Sequence, residues 1–371
     1  MTIAPTSSSF RARAVDHLAV AIGTTKGLFI VSDGVPDGPM FPGESVPAFA
    51  QLPDRFIAAT VSPHFGPSVR ASEDGGPTWD EHGNRPVAFP ESTDASLNAV
   101  WQLHPDRRPG HEATLFAGTE PAALFRSDDR GDTFELVRGL YEHPDRPKWV
   151  PGGGGLALHT VITQPERPDR IIVAVSAGGV YRSDDDGKTW VSRNEGIEAR
   201  FLPDTHPDQG QCVHKVAVDV VDPDTLWVQN HWGIYRSTDA GDHWESVGRP
   251  GEADGVPSDF GFPVVTHPIE PDTAYVFPLT SDEYRCSPEA RCRVYRTTDS
   301  GATWEACSAG LPPTAAHMTV LRDGFTVGAN PPYPLVFGTR SGHVFASADG
   351  GGSWRLVAAY LPPVLCVRVL E

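Results

Sequence analysis

Three histidines recur in one local context. Leu158-His159-Thr160-Val161, Val213-His214-Lys215-Val216 and Ala316-His317-Met318-Thr319 each read as the start of an apolar strand, and Leu97-Asn98-Ala99-Val100 places an asparagine at the same position. Neutral imidazoles converging from separate strands are ligands for a divalent transition metal. His159, His214 and His317 are therefore the expected metal ligands, with the identity of the metal left open. A second polar set falls where neighbouring strands turn back: Lys26, His64, Glu120, His231 with Trp232, and Arg340. Glu120 is placed to act as general base on a metal-bound water, with His231 or His64 as a further ligand or proton carrier. Arg340 and Lys26 would orient an anionic substrate group, with Asn98 and Trp232 beside them. A single histidine in a strand is more often a satisfied polar residue than a ligand. Only the shared register links these three.

The strands that must carry these residues are marked by a repeat. Ser183-Asp184-Asp185-Asp186-Gly187-Lys188-Thr189-Trp190 recurs in outline at Ser72 to Trp79, Ser127 to Phe134, Ser237 to Trp244, Thr297 to Trp304 and Ser347 to Trp354. Successive starts lie 55, 56, 54, 60 and 50 residues apart, the signature of a repeat architecture. An apolar run such as Gly179-Val180-Tyr181-Arg182 precedes each copy and a shorter one follows, which reads as strand, turn, strand. The hydroxyl and carboxylate can bond turn amides, the glycine permits φ > 0, and the aromatic ring anchors the turn. These are folding devices. The acidic run Asp184 to Asp186 is expected to face solvent.

At these residues the chain resembles the Asp-box, or BNR-repeat, β-propellers, which include sialidases, the sortilin luminal domain and photosystem II assembly propellers. The resemblance runs from about His17 to Glu371 and implies an all-β fold with little guidance on function. A degenerate repeat, Val20 to Phe29 with Asp33-Gly34, brings the number to seven. The expected fold is a seven-bladed β-propeller over residues 15–371, after a disordered arm over residues 1–14. Its first blade lacks an innermost strand, so the tail Val364 to Val369 should supply one and close the ring. Blades 2 to 7 should open at Ser45, Leu97, Leu156, Val213, Phe262 and Met318. The Arg-Ile/Leu-Pro signature and the arginine triad of the sialidases are not found, so no sialidase residue carries over.

A net charge of −18 with no Lys/Arg run argues against nucleic acid and anionic membranes as partners. Met1 to Arg13 has no apolar core of a signal peptide, and no stretch is apolar enough to span a bilayer. Five cysteines, few and odd in number, point to a reducing cytoplasm and to thiols; Cys286 and Cys292 are the pair close enough in sequence to bridge. Pro151 to Gly155 lacks the Gly-Lys-Ser/Thr ending of a phosphate loop and reads as a flap over the channel mouth.

The resulting expectation is a metal-assisted hydrolase or lyase acting on a small polar substrate at the channel mouth. The competing readings are an interaction propeller that binds a protein partner, with Trp149 and Phe201 as exposed anchors, and a metal-free glycosidase using carboxylates such as Glu120 and Glu283. A wide mouth lined by the histidines would favour the enzyme. A plugged channel would favour the scaffold.

Overall fold

Arg167–Val175 shows how the chain builds its sheets. Ile171, Val173 and Val175 pack against the preceding blade, while Ile172 and Ala174 pack against the following one. Side chains of a strand alternate between faces, so a continuous apolar run serves a sheet buried on both sides. Repeated around the ring, this pattern gives seven apolar clusters, one between each pair of neighbouring blades. The core is a set of seven interfaces.

The computed structural model describes residues 18–81, 87–153 and 155–371; the arm expected over 1–14 lies outside them. Blade 1 comprises β1 (Ala19–Thr24), β2 (Gly27–Ser32) and β3 (Val35–Met40). Blade 2 has β4 (Ser45–Leu52), β5 (Arg55–Ser62) and β6 (Gly66–Ser72), and is three-stranded among the described residues. Blade 3 has β7 (Ala99–Pro105), β8 (Leu115–Glu120), β9 (Leu124–Ser127) and β10 (Glu135–Leu136). Blade 4 has β11 (Leu158–Gln164), β12 (Arg167–Val175), β13 (Gly179–Ser183) and β14 (Val191–Ser192). Blade 5 has β15 (Val213–Val218), β16 (Leu226–Asn230), β17 (Gly233–Ser237) and β18 (Glu245–Ser246). Blade 6 has β19 (Gly261–Thr266), β20 (Ala274–Pro278), β21 (Val294–Thr297) and β22 (Glu305–Cys307). Blade 7 has β23 (Phe325–Val327), β24 (Leu335–Gly338), β25 (Val344–Ser347) and β26 (Arg355–Ala358).

The expected closure is present. The last strand, β27 (Val364–Val369), pairs antiparallel with β1, Val20 facing Val369 and Ile22 facing Val367, and becomes the innermost strand of blade 1. Its Val364 and Val367 complete the apolar cluster shared with blade 7, and its Cys366 the one shared with blade 2. Blades 2 to 6 open within two residues of the expected positions, whereas in blade 7 the inner strand begins at Phe325 and not at Met318.

All six repeats fold into the same turn. In the fourth-blade copy the Ser183 hydroxyl donates to Asp185, Gly187 N–H donates to Ser183 Oγ at 2.8 Å, and Thr189 donates to Asp185 through both its amide and its hydroxyl. The fourth and fifth positions take positive φ, as at Asp186 (58°) and Gly187 (84°), and the glycine serves the second of these. Where threonine is replaced, His243 reaches Asp239 through Nδ1 at 2.7 Å and Ser353 reaches Asp349 through its hydroxyl.

The acidic run does not simply face solvent. Asp186 pairs with Arg108 and Arg126 of blade 3, and Asp184 with Arg170 and Arg182. In blades 3 to 6 an arginine precedes the turn and reaches into the next blade: Arg126 to Asp186, Arg182 to Asp242, Arg236 to Asp272, and Arg296 to the Gly350 carbonyl. These contacts fasten blades 3 to 7 in series.

Two outcomes follow. Deleting residues 364–371 removes an inner strand and part of two interfaces, and should abolish the cooperative thermal transition seen by circular dichroism. In the turns, hydrogen bonds from Thr78 and Thr189 depress the Asp74 and Asp185 carboxyls to about 2. Because these groups are depressed on folding, their stabilisation is complete above the ordinary carboxylate value of 3.8 and is lost as pH falls through about 2. Melting temperature should therefore drop steeply between those values, and less steeply in an Asp74→Asn/Asp185→Asn double variant.

Candidate functional site at the channel mouth

The histidines at the strand starts owe their direction to β-bulges. In β11 the ladder steps from Leu158–Val175 to Thr160–Ala174, leaving His159 as the extra residue, and in β15 His214 is the extra residue in the same way. A bulge re-aims its side chain, here sideways toward the next blade. His159 Nε2 lies 2.9 Å from the Val213 carbonyl of blade 5, and His214 Nδ1 lies 2.5 Å from the Gly261 carbonyl of blade 6. Both nitrogens donate, since a carbonyl only accepts. In blade 3 the bulged residue is Trp101, whose Nε1 donates to Glu120 at 2.8 Å. Asn98 lies three residues earlier, exposed, with its amide donating to the Glu120 carbonyl.

The expected ligand set is not assembled. His159 is fully buried, with Nε2 donating to Val213 and Nδ1 facing the Thr160 hydroxyl at 3.2 Å, so neither nitrogen is left for a metal. His317 precedes the inner strand of blade 7 by eight residues, is exposed, and meets the Tyr284 hydroxyl at 2.9 Å. Among the described residues one trio brings its ligand atoms within 4.8 Å of one another: Cys212, His214 and His231. His214 and His231 were expected here; Cys212 was not.

The trio is a product of strand pairing. Cys212 accepts the His231 amide through its carbonyl at 3.0 Å, so the two are cross-strand neighbours at the open end of blade 5. His214 Nε2 lies 3.5 Å from the Cys212 sulfur. Burial lowers the pKa values of His214 and His231, keeping both imidazoles neutral, and Asp282, 3.4 Å from His231 Nε2, opposes that shift. Burial raises the Cys212 thiol, opposed by Arg322.

Arg322 organises the charge at this mouth, and the sequence alone offered no signal for it. Its guanidinium and that of Arg285 lie over the Phe262 ring at 5.6 and 5.5 Å. Burial lowers the Arg322 pKa, while Cys212, Asp323 and Glu120 raise it. Below the mouth, Lys215 reaches from blade 5 to Gln102 of blade 3 (3.2 Å) and to Asp323 of blade 7 (3.1 Å), and Arg368 of β27 meets Asp323 at 2.6 Å. These bridges cross the axis. The channel is plugged.

Among the described residues two open clefts lie between blades: one of about 560 Å³ between blades 1 and 2, lined by Phe41, Arg70, Trp79, Asp80 and Glu81 among others, and one next to the trio. The second, of about 410 Å³ between blades 5 and 6, is lined by His231, Trp232, Asp259, Phe260, Thr280, Ser281 and Asp282, among others. Trp232 meets His231 and Phe201 in tilted contacts, with centroids at 4.4 and 4.8 Å. Asp259 is held by Arg200 at 3.1 Å. The other expected residues lie elsewhere. Glu120 faces Trp101 and the backbone at Gly155 and does not line this cleft. His64 and Lys26 are exposed at the tips of the second turns of blades 2 and 1, and Arg340 is half-buried in the corresponding turn of blade 7. Trp149, expected as an exposed anchor, is only 4% exposed and donates to the Tyr181 hydroxyl, whereas Phe201 is 52% exposed. All five cysteines are free thiols, so Cys286 and Cys292 do not bridge. Among the described residues no helix is long and apolar enough to cross a membrane.

No family model matches the chain. Over 243 residues, 57% of this chain and 27% of the relative, it is 25% identical to the xyloglucanase Xgh74A of Acetivibrio thermocellus. A xyloglucanase of Paenibacillus sp is 24% identical over 246 residues, 57% of this chain and 22% of the relative. The chain thus spans about a quarter of the length of these relatives. Among solved structures, the GH74 xyloglucanase of Xanthomonas campestris superposes with a TM-score of 0.65 at 19% identity, covering 94% of this chain and 53% of that one. YCF48 bound to D1 peptide superposes with a TM-score of 0.50 at 13% identity, covering 91% and 84%. At these identities the structural likeness establishes the propeller fold and no more.

Proposed function

We propose that the propeller is a hydrolase of glycosidic bonds, with its substrate seated in the cleft between blades 5 and 6. The observation that carries this reading is the combination of Trp232 with two carboxylates, Asp259 and Asp282, in one open cleft. An aromatic face packs against the apolar face of a sugar ring, and carboxylates accept its hydroxyls. Hydrolysis of a glycosidic bond uses a carboxyl pair, one giving a proton to the leaving oxygen and one activating water or attacking the sugar. In this reading Asp259, ion-paired to Arg200, and Asp282, beside His231, form the carboxyl pair. The distant sequence similarity to xyloglucanases supports a carbohydrate substrate over the small polar molecule expected from the sequence.

A second reading has its own observation. Phe201 (52% exposed) beside Trp232, and Tyr284 (53% exposed) on the loop that carries Asp282, offer anchors for a protein partner, and the axis is plugged as expected of a scaffold. The two readings separate on activity. Release of reducing ends from xyloglucan should fall at least a hundredfold in Asp259→Asn and in Asp282→Asn, within the range general acid–base groups supply. Trp232→Ala should weaken oligosaccharide binding about tenfold, as measured by calorimetry, for loss of roughly 1 kcal/mol of stacking. No hydrolysis across a panel of plant and bacterial polysaccharides, with no binding that depends on Trp232, would overturn the hydrolase reading in favour of the scaffold.

A further inference from the structure

The trio at the open end of blade 5 is built like a three-ligand metal centre. The geometry points to a divalent first-row metal, zinc in the first instance, held by Cys212 Sγ, His214 Nε2 and a ring nitrogen of His231. This assignment rests on the three side chains and their supports, and holds whatever substrate the neighbouring cleft takes.

Three features carry it. The first is the donor set, one thiolate and two imidazoles, which matches the ligand types and number of an open zinc site. The second is spacing. With Zn–S near 2.3 Å and Zn–N near 2.0–2.1 Å, tetrahedral coordination places sulfur and nitrogen about 3.6 Å apart. Cys212 Sγ and His214 Nε2 are 3.5 Å apart, and all three donors fall within 4.8 Å of one another, a gap that rotation of the half-buried His231 ring can close.

The third feature is the support behind each ligand. His214 donates Nδ1–H to the Gly261 carbonyl, which fixes the tautomer and turns the Nε2 lone pair toward the sulfur. His231 has Asp282 against Nε2, the carboxylate–histidine pairing that orients metal ligands and raises their basicity. A bulge, an inter-blade hydrogen bond and a cross-strand pair thus converge on one point.

The charges facing the trio are Asp282, Arg285 and Arg322. The two guanidinia oppose a cation, so the site depends on the thiolate and Asp282 to offset them. Three protein ligands leave a fourth position free, and the guanidinia beside it favour an anionic fourth ligand such as hydroxide.

The full chain, stripped of metal with a chelator and kept reduced, would be titrated with cobalt(II) and followed by absorption. A saturable thiolate-to-cobalt charge-transfer band with the intense visible bands of a tetrahedral ion is expected at one equivalent, and zinc should displace both. Cys212→Ser should abolish the charge-transfer band with an unchanged melting curve in the absence of metal. Asp282→Asn should weaken binding ten- to a hundredfold, the usual effect of removing such a support. His317→Ala should bind as the parent does. A folded parent with no charge-transfer band, or a band that survives in Cys212→Ser, would overturn the site and leave Cys212 and His214 as a thiol–imidazole hydrogen bond. Because the readout needs no saccharide, its failure would leave the glycosidase reading standing, and loss of glycosidase activity would leave this site standing.

Discussion

Every blade of this ring depends on having a neighbour on both sides. A sheet with apolar residues on both faces has no stable isolated form, and the first blade lacks its own inner strand until β27 arrives from the far end of the chain. Closure is therefore a constraint on the whole molecule. The alternation of Ile171, Ile172, Val173, Ala174 and Val175 between two clusters is the local form of the same requirement. In blades 3 to 6 the arginine before the turn adds a polar fastening at the opposite end from the mouth, so these blades are held to the next by apolar contact along their length and by polar contact at one rim.

The same ring geometry creates the site. Inner strands crowd toward the axis, and bulges at His159 and His214 turn side chains out of the ladder toward the next blade. At His159 that reach ends in structure, with both nitrogens engaged. At His214 one nitrogen bonds the next blade and the other is presented to Cys212, with His231 arriving from the paired strand. Two identical devices thus yield a staple in one blade and a presented ligand in the next. What differs is the sequence around them.

Much of the fold was legible because turn chemistry is local. Ser183, Asp185, Gly187 and Thr189 satisfy one another within a few residues, and the resulting period exposed the blades and the closing tail. The site was less legible because register across blades depends on bulges, which a linear alignment of strands does not show. Asn98 was aligned with His159, yet Trp101 holds the equivalent bulge; His317 was aligned with an inner strand that begins only at Phe325. Cys212 and Arg322 were missed for related reasons. The first becomes a partner of His231 only through cross-strand pairing, and the second gains its role from Phe262 and from groups on other blades. The closeness of Cys212 and His214 in sequence, just ahead of the strand that turns back at His231-Trp232, was the signal available in the sequence.

The proposed chemistry is centred where blades 5 and 6 meet, around Cys212, His214 and His231. Anomalous diffraction at the zinc absorption edge from crystals grown with zinc tests that placement most directly. One strong peak within bonding distance of the Cys212 sulfur, His214 Nε2 and a His231 ring nitrogen is the predicted result. A well-ordered ring with no anomalous peak at the trio, or with zinc held at His159 or His317 instead, would contradict it.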